Sequence, residues 1–374
     1  MRFSTIAELT ESGLKSPLFL IGTRAEVIKI RPVVKRLASA GIPVDLIWVG
    51  LHSDHALKSI EPFLRKIYKL NAGTRDKETP IAVLTWFITS NIKLQFLAIK
   101  IRLRRNKFPL LLVHGDTLCT LMGALFARTA KIRTGHIEAA VRSGAIFRPF
   151  PEEISRRMVS SLIGLHFAPG DKEFKKAQRY RGKAINTKHN TSRDALYDDL
   201  DDMKIQNLGY LVVTLHRTEL LSDKQKLTDI CLEIIRLSSK YEVRWFIGGH
   251  EKSSLEKFGL LSKIEGSGIR LRSRSEHSLF VREFSQALCV ITDSGGLQSE
   301  CHDLGIPVIV HRKESEYFGG SDDLWVMTHW EINPIQEFLD KLNHSVPKRG
   351  KKTQSVASDI ITAEIIDQIQ TFRS

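Results

Sequence analysis

The sequence predicts a parallel α/β protein built as two Rossmann-like halves, and three observations carry that prediction. Short apolar strand patterns alternate with amphipathic helix patterns along most of the chain, the signature of βαβ layers. The rhythm stops at an acidic, irregular stretch near residues 198–202 and then restarts. Polar and charged residues recur at the carboxyl ends of the strand patterns, the edge on which open parallel sheets bind ligands. A length of 374 residues is long for one hydrophobic core, so two domains are expected. We place them at residues 1–186 and 187–374, facing a central cleft, with the final helix able to pack back on the first.

The elements follow in order. Pro17–Ile21 reads as a strand running into Gly22-Thr23-Arg24, then a helix from about Ala25 to Ala40 stopped by Gly41. Pro43–Val49 is a second strand, ending near His52. Helical stretches are expected near Asp54–Tyr68 and Pro80–Arg105. A strand at Pro109–Val113 ends in His114-Gly115-Asp116-Thr117, and another at Ile132–Ile137 ends at Glu138. A helix starting near Glu152 leads to a strand at Leu165–Ala168. In the second half, Tyr210–Leu215 ends in His216-Arg217, and Ser222 is expected to cap a helix to Lys240. Strands follow at Val243–Ile247, Ile269–Leu271, Leu288–Ile291 and Ile306–Val310. The third runs into Thr292-Asp293-Ser294-Gly295-Gly296, and a helix near Ser358–Phe372 closes the chain.

Composition narrows the class. The chain is 42% hydrophobic and 26% charged, ordinary for a globular protein, but 56 Lys and Arg face 42 Asp and Glu for a net charge of +14. That balance favours anionic partners, yet no nucleic-acid module accompanies it. The basic run at Lys93–Lys107 reads as the solvated end of an amphipathic helix, with peripheral membrane contact as the lesser alternative. Cys119, Cys231, Cys289 and Cys301 form no CxxC pair and sit in apolar patterns, which fits a reducing cytoplasm and no zinc site. There is no signal-peptide pattern, and no apolar run is expected to approach the roughly 18 residues needed to span a bilayer.

The residues with chemistry cluster. The stretch 136–157 sets three carboxylates (Glu138, Glu152, Glu153) and four arginines (Arg142, Arg148, Arg156, Arg157) around a turn after a strand. Unpaired buried charges are expensive, so this density suits either a solvated loop or proton transfer beside an anionic substrate. Asp116 and Glu138 end neighbouring strands; mutual repulsion is expected to push one pKa upward, useful for general acid/base work. His216, at a strand end, suits a leaving phosphate. Arg24 in its turn could clamp a phosphate, and Lys29 follows five residues on. Ser294, Gly295 and Gly296 open a helix whose free amides suit a pyrophosphate, with Glu300 placed to accept from ribose hydroxyls. Each has a plainer reading as a connecting turn, a helix cap or a surface charge.

Taken together, these segments resemble the UDP-N-acetylglucosamine 2-epimerase family. The matching pieces are Gly22-Thr23-Arg24-Ala25-Glu26-Val27-Ile28-Lys29, His114-Gly115-Asp116-Thr117, His136-Ile137-Glu138-Ala139, Pro149-Phe150-Pro151-Glu152-Glu153-Ile154, Asn190-Thr191, Thr214-Leu215-His216-Arg217 and Thr292-Asp293-Ser294-Gly295-Gly296-Leu297-Gln298 with Glu300. They stand in the family's order across most of residues 20–312. The resemblance implies a glycosyltransferase-B-like fold, a UDP-sugar substrate, often a homodimer, and no metal or cofactor. UDP would leave by elimination with loss of the C2 proton, giving a 2-acetamidoglucal. UDP would then add back with C2 inverted, or, in hydrolysing relatives, water would add and N-acetylmannosamine would be released. It implies that Asp116, Glu138 and Glu152 are the acid/base carboxylates and that His216 assists the phosphate. Arg24, Lys29 and Arg142 would then meet the substrate, while Ser294, Gly295, Gly296 and Glu300 hold UDP. A glycosyltransferase on the same fold is the alternative, and a non-catalytic UDP-sugar-binding protein a third. The chain departs from the family pattern at Ala25, where proline is usual, and at Ala140-Val141, where Gly-Leu is usual. Leu51 stands where non-hydrolysing bacterial members have a glutamine of a second, regulatory site, and Glu316–Gly320 replaces a Glu-Arg-Pro-Glu loop.

Overall fold

The computed structural model describes residues 3–5, 8–9, 16–51, 53–71, 80–104, 108–142, 152–200, 203, 205–273, 277–314, 323–344 and 356–373. His52, Arg148, the Pro149–Pro151 segment, Glu316–Gly320 and the side chain of Glu152 lie outside the described residues. The chain divides into two compact units, Met1–Ala195 with Gln354–Ser374, and Leu196–Thr353.

The first unit carries eight strands: β1 (Phe3–Thr5), β2 (Leu18–Ile21), β3 (Asp45–Trp48), β4 (Lys66–Lys69), β5 (Leu111–His114), β6 (Thr134–Ile137), β7 (Leu165–Ala168) and β8 (Lys183–Asn186). All pair in parallel, in the order β1-β4-β3-β2-β5-β6-β7-β8. Strands buried on both faces read as continuous apolar runs rather than alternations, and β2, β3, β5 and β7 are buried throughout. The connections reverse direction between β2 and β5, so the turns after these two strands flank the sheet's topological switch point. The final helix, Ala357–Arg373, belongs to this unit, with Ile361, Ile365 and Ile369 buried in the core beside Phe19, Val27 and Val34.

The second unit carries β9 (Leu211–Thr214), β10 (Val243–Ile247), β11 (Arg270–Ser273), β12 (Cys289–Thr292), β13 (Val308–Val310) and β14 (Trp325–Met327). Their order, β11-β10-β9-β12-β13-β14, is all parallel. Renumbered from β9 it is 3-2-1-4-5-6, the doubly wound dinucleotide-binding order, with the switch point between β9 and β12.

Several expectations need correction. Asp54–Tyr68 is not helical throughout: 3-10 turns cover Asp54–Ser59 and Glu61–Phe63, and β4 follows. Pro62 blocks a continuing helix, and Arg65 is drawn to the buried Asp45 of β3, Nε to Oδ1 at 2.9 Å. The cap of the helix Lys224–Ser238 is Asp223, which accepts from Gln225 and Lys226 amides, rather than Ser222. The largest difference concerns the helix Pro80–Leu103. Its segment Ile81–Leu103 is long and apolar enough to cross a membrane, with mean hydropathy 1.4. Counting uninterrupted apolar runs missed it because Asn91, Lys93, Gln95, Lys100 and Arg102 break the run without lowering the mean enough. Nor is the helix amphipathic: one face buries Trp86, Leu94, Leu97, Ala98 and Ile101, while Ile81, Leu84, Ile88, Ile92, Phe96, Ile99 and Leu103 form an exposed stripe at spacings of three and four. Two opposed apolar stripes cancel the amphipathic signal.

Candidate active site

In the first unit the site is assembled at the switch point. The helix Arg24–Ser39 starts directly after β2, capped by Thr23, whose Oγ1 accepts from the Glu26 amide. Glu26 returns the bond and does more. Its Oε2 accepts from the amides of Gly22 (2.9 Å) and Thr23 (2.8 Å), and its Oε1 accepts from the Thr117 hydroxyl at 2.6 Å. One buried carboxylate therefore fastens the turn after β2 to the turn after β5. Burial pushes its pKa up and these hydrogen bonds pull it back only in part. Gly22 allows this approach, since a Cβ there would lie 2.5 Å from Cys119 Sγ. Arg24 is thus the first helical residue, with an exposed side chain, rather than part of the turn.

Lys29, one turn further along the same helix, reaches across to Glu138: Nζ donates to Oε2 at 2.7 Å. It is no surface lysine. Burial pushes the Glu138 carboxyl up, but the charge and hydrogen bond of Lys29, together with His114 and an Asn190 hydrogen bond, outweigh it and hold the group down to about 2. Glu138 is therefore a fixed anion at neutral pH, so the upward shift expected of one of the paired carboxylates does not fall on it. The lysine, opposed by burial but favoured by Glu138, is raised. His114 Nε2 lies 3.4 Å from the same carboxylate oxygen, yet burial lowers the His114 pKa to about 3, so the ring adds no charge.

Asp116 sits in the turn after β5 with its side chain 37% exposed, against 18% for Glu138. It does not cap the next helix; Thr117 does. Asp116 Oδ2 accepts from Arg156, from Nε at 2.9 Å and from Nη2. Arg156 projects from the helix Glu152–Leu162 and also meets the fully buried Glu153 at 3.3 Å. His136 fixes the same turn: its pKa is lowered to about 4 by burial, so the neutral ring donates Nε2–H to the Gly115 carbonyl, 2.6 Å away. Asp116, His136, Glu138, Ala140, Arg142 and Arg156 line one small cleft. Arg142 spends its donors on the chain itself, on Ser160 Oγ (2.8 Å), Tyr180 Oη (3.0 Å) and the Val141 carbonyl (2.9 Å).

Backbone strain marks the cleft. Glu138 and Ala140 have φ of 68° and 62°, a left-handed conformation that costs an L-residue about 1–2 kcal/mol. Ala140 is the position at which the family pattern has glycine, which adopts this conformation without that cost.

The second unit presents its own switch point. The Asp293 carboxylate, fully buried at the end of β12, accepts from the amides of His216 (2.8 Å) and Arg217 (2.8 Å), which follow β9. Its Oδ1 also lies 2.9 Å from His216 Nδ1, which orients the ring while its side chain stays a third exposed. Burial pushes the Asp293 pKa up, but His216 and these amides lower it overall. Ser294 caps the helix Gly295–Leu304, accepting from the Leu297 amide at 3.4 Å. A Cβ at Gly295 or Gly296 would meet nothing within 4 Å, so open space adjoins the first turn of the helix. Glu300 lies on that helix beside His277, Nε2 to Oε1 at 3.7 Å, and His277 Nδ1 meets Asp199 Oδ2 at 3.0 Å.

A sequence profile of the UDP-N-acetylglucosamine 2-epimerase family matches residues 88–353. The chain belongs to the UDP-N-acetylglucosamine 2-epimerase family. The UDP-N-acetylglucosamine 2-epimerase of Neisseria meningitidis serogroup A is 29% identical over 80% of this chain and 83% of its own. A crystal structure of the Neisseria meningitidis epimerase bound to UDP-GlcNAc superposes with a TM-score of 0.71 at 24% identity, covering 94% of this chain and all of that one. A UDP-bound transferase from Siraitia grosvenorii has the same architecture, TM-score 0.55 at 10% identity over 96% of this chain and 98% of that one. The fold class is thus the one expected, glycosyltransferase-B-like, and the family is one of isomerases.

Three residues of the site were not singled out from sequence for the places they occupy. Glu26 carried a usable signal, the Thr-x-x-Glu capping box. Arg156 stood among four arginines with nothing local to separate it from them. Asp293 was quoted only as part of its motif.

Proposed function

We propose that the chain interconverts UDP-N-acetylglucosamine and UDP-N-acetylmannosamine by elimination and re-addition of UDP. The observation that carries this is the pairing of an accessible carboxylate, Asp116, with a fixed anion, Glu138, on one cleft, each held by its own cation. A proton transfer at C2 needs a base that reaches substrate, and Asp116 is the more exposed of the two. In the forward step a carboxylate takes the C2 proton, the C1–C2 double bond forms, and the C1–O electron pair leaves on UDP. Re-addition reverses those steps with the proton delivered to the opposite face of C2. Glu152, by its place in the family motif, completes the acid/base set. Lys29 and Arg24 would offset phosphate charge, and His216, oriented by Asp293, would donate to the departing diphosphate. Ser294, Gly295 and Gly296 supply amides and open space for the diphosphate, and Glu300 an acceptor for ribose. Arg142, committed to Ser160 and Tyr180, would shape the cleft rather than bind through free donors. The reaction as written uses no metal or cofactor.

The direct test is proton NMR of the protein with UDP-N-acetylglucosamine in heavy water, without metal or acceptor. Deuterium at C2 with a UDP-N-acetylmannosamine signal is expected. Free N-acetylmannosamine with UDP would place the chain on the hydrolysing branch, and an unchanged spectrum would overturn the epimerase reading.

We also infer a homodimer through the outer face of the helix Pro80–Leu103. A contiguous apolar stripe of this length on a monomer surface marks an interaction site. Ile92→Lys with Phe96→Lys is expected to convert a dimer to a monomer in sedimentation. A monomeric parent protein would overturn the inference, and binding of that monomer to anionic vesicles would favour a membrane contact.

A further inference from the structure

Three residues of the second unit, each on a different helix, come together. His277 opens the helix His277–Ser285, Asp199 ends the helix Thr191–Asp199, and Glu300 stands on the helix Gly295–Leu304. The ring of His277 lies between the two carboxylates, Nδ1 at 3.0 Å from Asp199 Oδ2 and Nε2 at 3.7 Å from Glu300 Oε1. A carboxylate accepts and does not donate when ionised, so favourable contact on both sides requires protons on both ring nitrogens. The side chains are sheltered, Asp199 at 7%, His277 at 18% and Glu300 at 20% exposure. Burial works against the imidazolium, but the hydrogen bonds and charges of the two carboxylates prevail and raise its pKa to about 9. The ring is therefore cationic throughout the neutral range.

We propose that His277, anchored by Asp199, is a positioning residue that holds the Glu300 carboxylate ready for the paired hydroxyls of a nucleotide ribose. The proposal rests on the reading that Glu300 meets the ribose. A glutamate on a helix surface samples several rotamers, and fixing one before the ligand arrives reduces the ordering cost of binding. The Asp199 contact sets the ring plane, the ring's far nitrogen attracts one carboxylate oxygen, and the carboxylate's remaining acceptor sites stay available to the ligand. Asp199, without reaching ligand, would then govern how well this chain tells ribose from a sugar that lacks its hydroxyls.

The test is calorimetric titration of UDP and of 2′,3′-dideoxy-UDP into the full chain and into His277→Gln, Asp199→Asn, Glu300→Gln and the double variant His277→Gln/Glu300→Gln. A charged hydrogen-bond acceptor for the hydroxyls should give the parent protein a preference for UDP of about tenfold or more. Glu300→Gln and His277→Gln should each remove most of that preference while leaving dideoxy-UDP affinity unchanged. The double variant should lose no more than Glu300→Gln alone, and Asp199→Asn should follow His277→Gln in direction. Full preference retained in Glu300→Gln would overturn the reading of Glu300 and the proposal with it. Loss in Glu300→Gln, with the preference intact in His277→Gln and Asp199→Asn, would overturn the proposal alone. Equal weakening of both ligands in the His277 and Asp199 variants would also overturn it, because that is what general damage to the unit produces. Asp199→Asn keeps the question answerable if His277→Gln fails to fold.

Discussion

Replacing Asp116 by asparagine is expected to lower kcat by about 10²–10⁴-fold, the usual worth of a positioned general acid or base, while UDP affinity stays near that of the parent protein. The amide keeps the shape of the carboxylate and can still accept from Arg156, so the turn after β5 should survive. What it loses is the ability to take a proton. Asp116 lines the cleft of the first unit, while the proposed diphosphate contacts, Ser294, Gly295 and Gly296, belong to the second, which is why nucleotide binding should be spared. Glu138→Gln should also suppress turnover, with a stability loss besides, because Lys29 then keeps its charge without its partner. Deuterium incorporation at C2 checks the first effect and UDP titration the second. Turnover preserved in both amide variants would overturn the acid/base assignment; loss of UDP binding in Asp116→Asn would mean that the substitution had damaged more than the chemistry.

The second large effect is expected at Lys29. Lys29→Met should destabilise the protein by about 2–3 kcal/mol at neutral pH. Breaking a fully buried ion pair costs more than that, and the 30% exposure of Lys29 reduces the figure. The pH dependence follows from the direction of the Glu138 shift. Its folded pKa is depressed to about 2 from an ordinary 4.5, so the pair's contribution is complete above about 4.5 and is lost as the pH falls toward 2. In Lys29→Met the lowering by Lys29 is gone, burial is opposed only by His114 and the Asn190 hydrogen bond, and the carboxyl moves up from its value in the parent protein. The stability difference between the two proteins should therefore be largest at neutral pH and shrink as the solution is acidified. Denaturant melts at several pH values measure it; a difference that is constant or grows in acid would show that Lys29 does not hold Glu138 ionised. If turnover needs Glu138 as an anion, the acid limb of the variant's rate profile should also move to higher pH.

How much of this was legible in the sequence differs from residue to residue. Asp116, Glu138, His216 and Ser294 were legible as polar residues ending apolar strand patterns, because a parallel sheet puts every such end on one edge. Their partners were not. Lys29 meets Glu138 across 109 residues of chain and Arg156 meets Asp116 across 40, distances over which spacing rules carry no information. The assumption that two neighbouring carboxylates perturb mainly each other was wrong for Glu138 for the same reason: the closest charge is a lysine from another element. β4 was hidden because lysines at both of its ends break the continuous apolar pattern that marks the equally short β2 and β5. The outer stripe of the helix Pro80–Leu103 was hidden by the inner one, since a helix apolar on two sides has no polar face to define a period.

The course of the chain through its two units has a consequence for synthesis. Residues 196–353 form the second unit, yet Ile361, Ile365 and Ile369 of the final helix fill the core of the first. A ribosome therefore releases the first unit with part of its hydrophobic interior still missing, and supplies that part only after the second unit has been made. The portion begun first is completed last. A nascent or truncated chain that ends before residue 357 would carry every strand of the first sheet and both Asp116 and Glu138, and would still lack the three isoleucines that complete the core cluster of Phe19, Val27 and Val34.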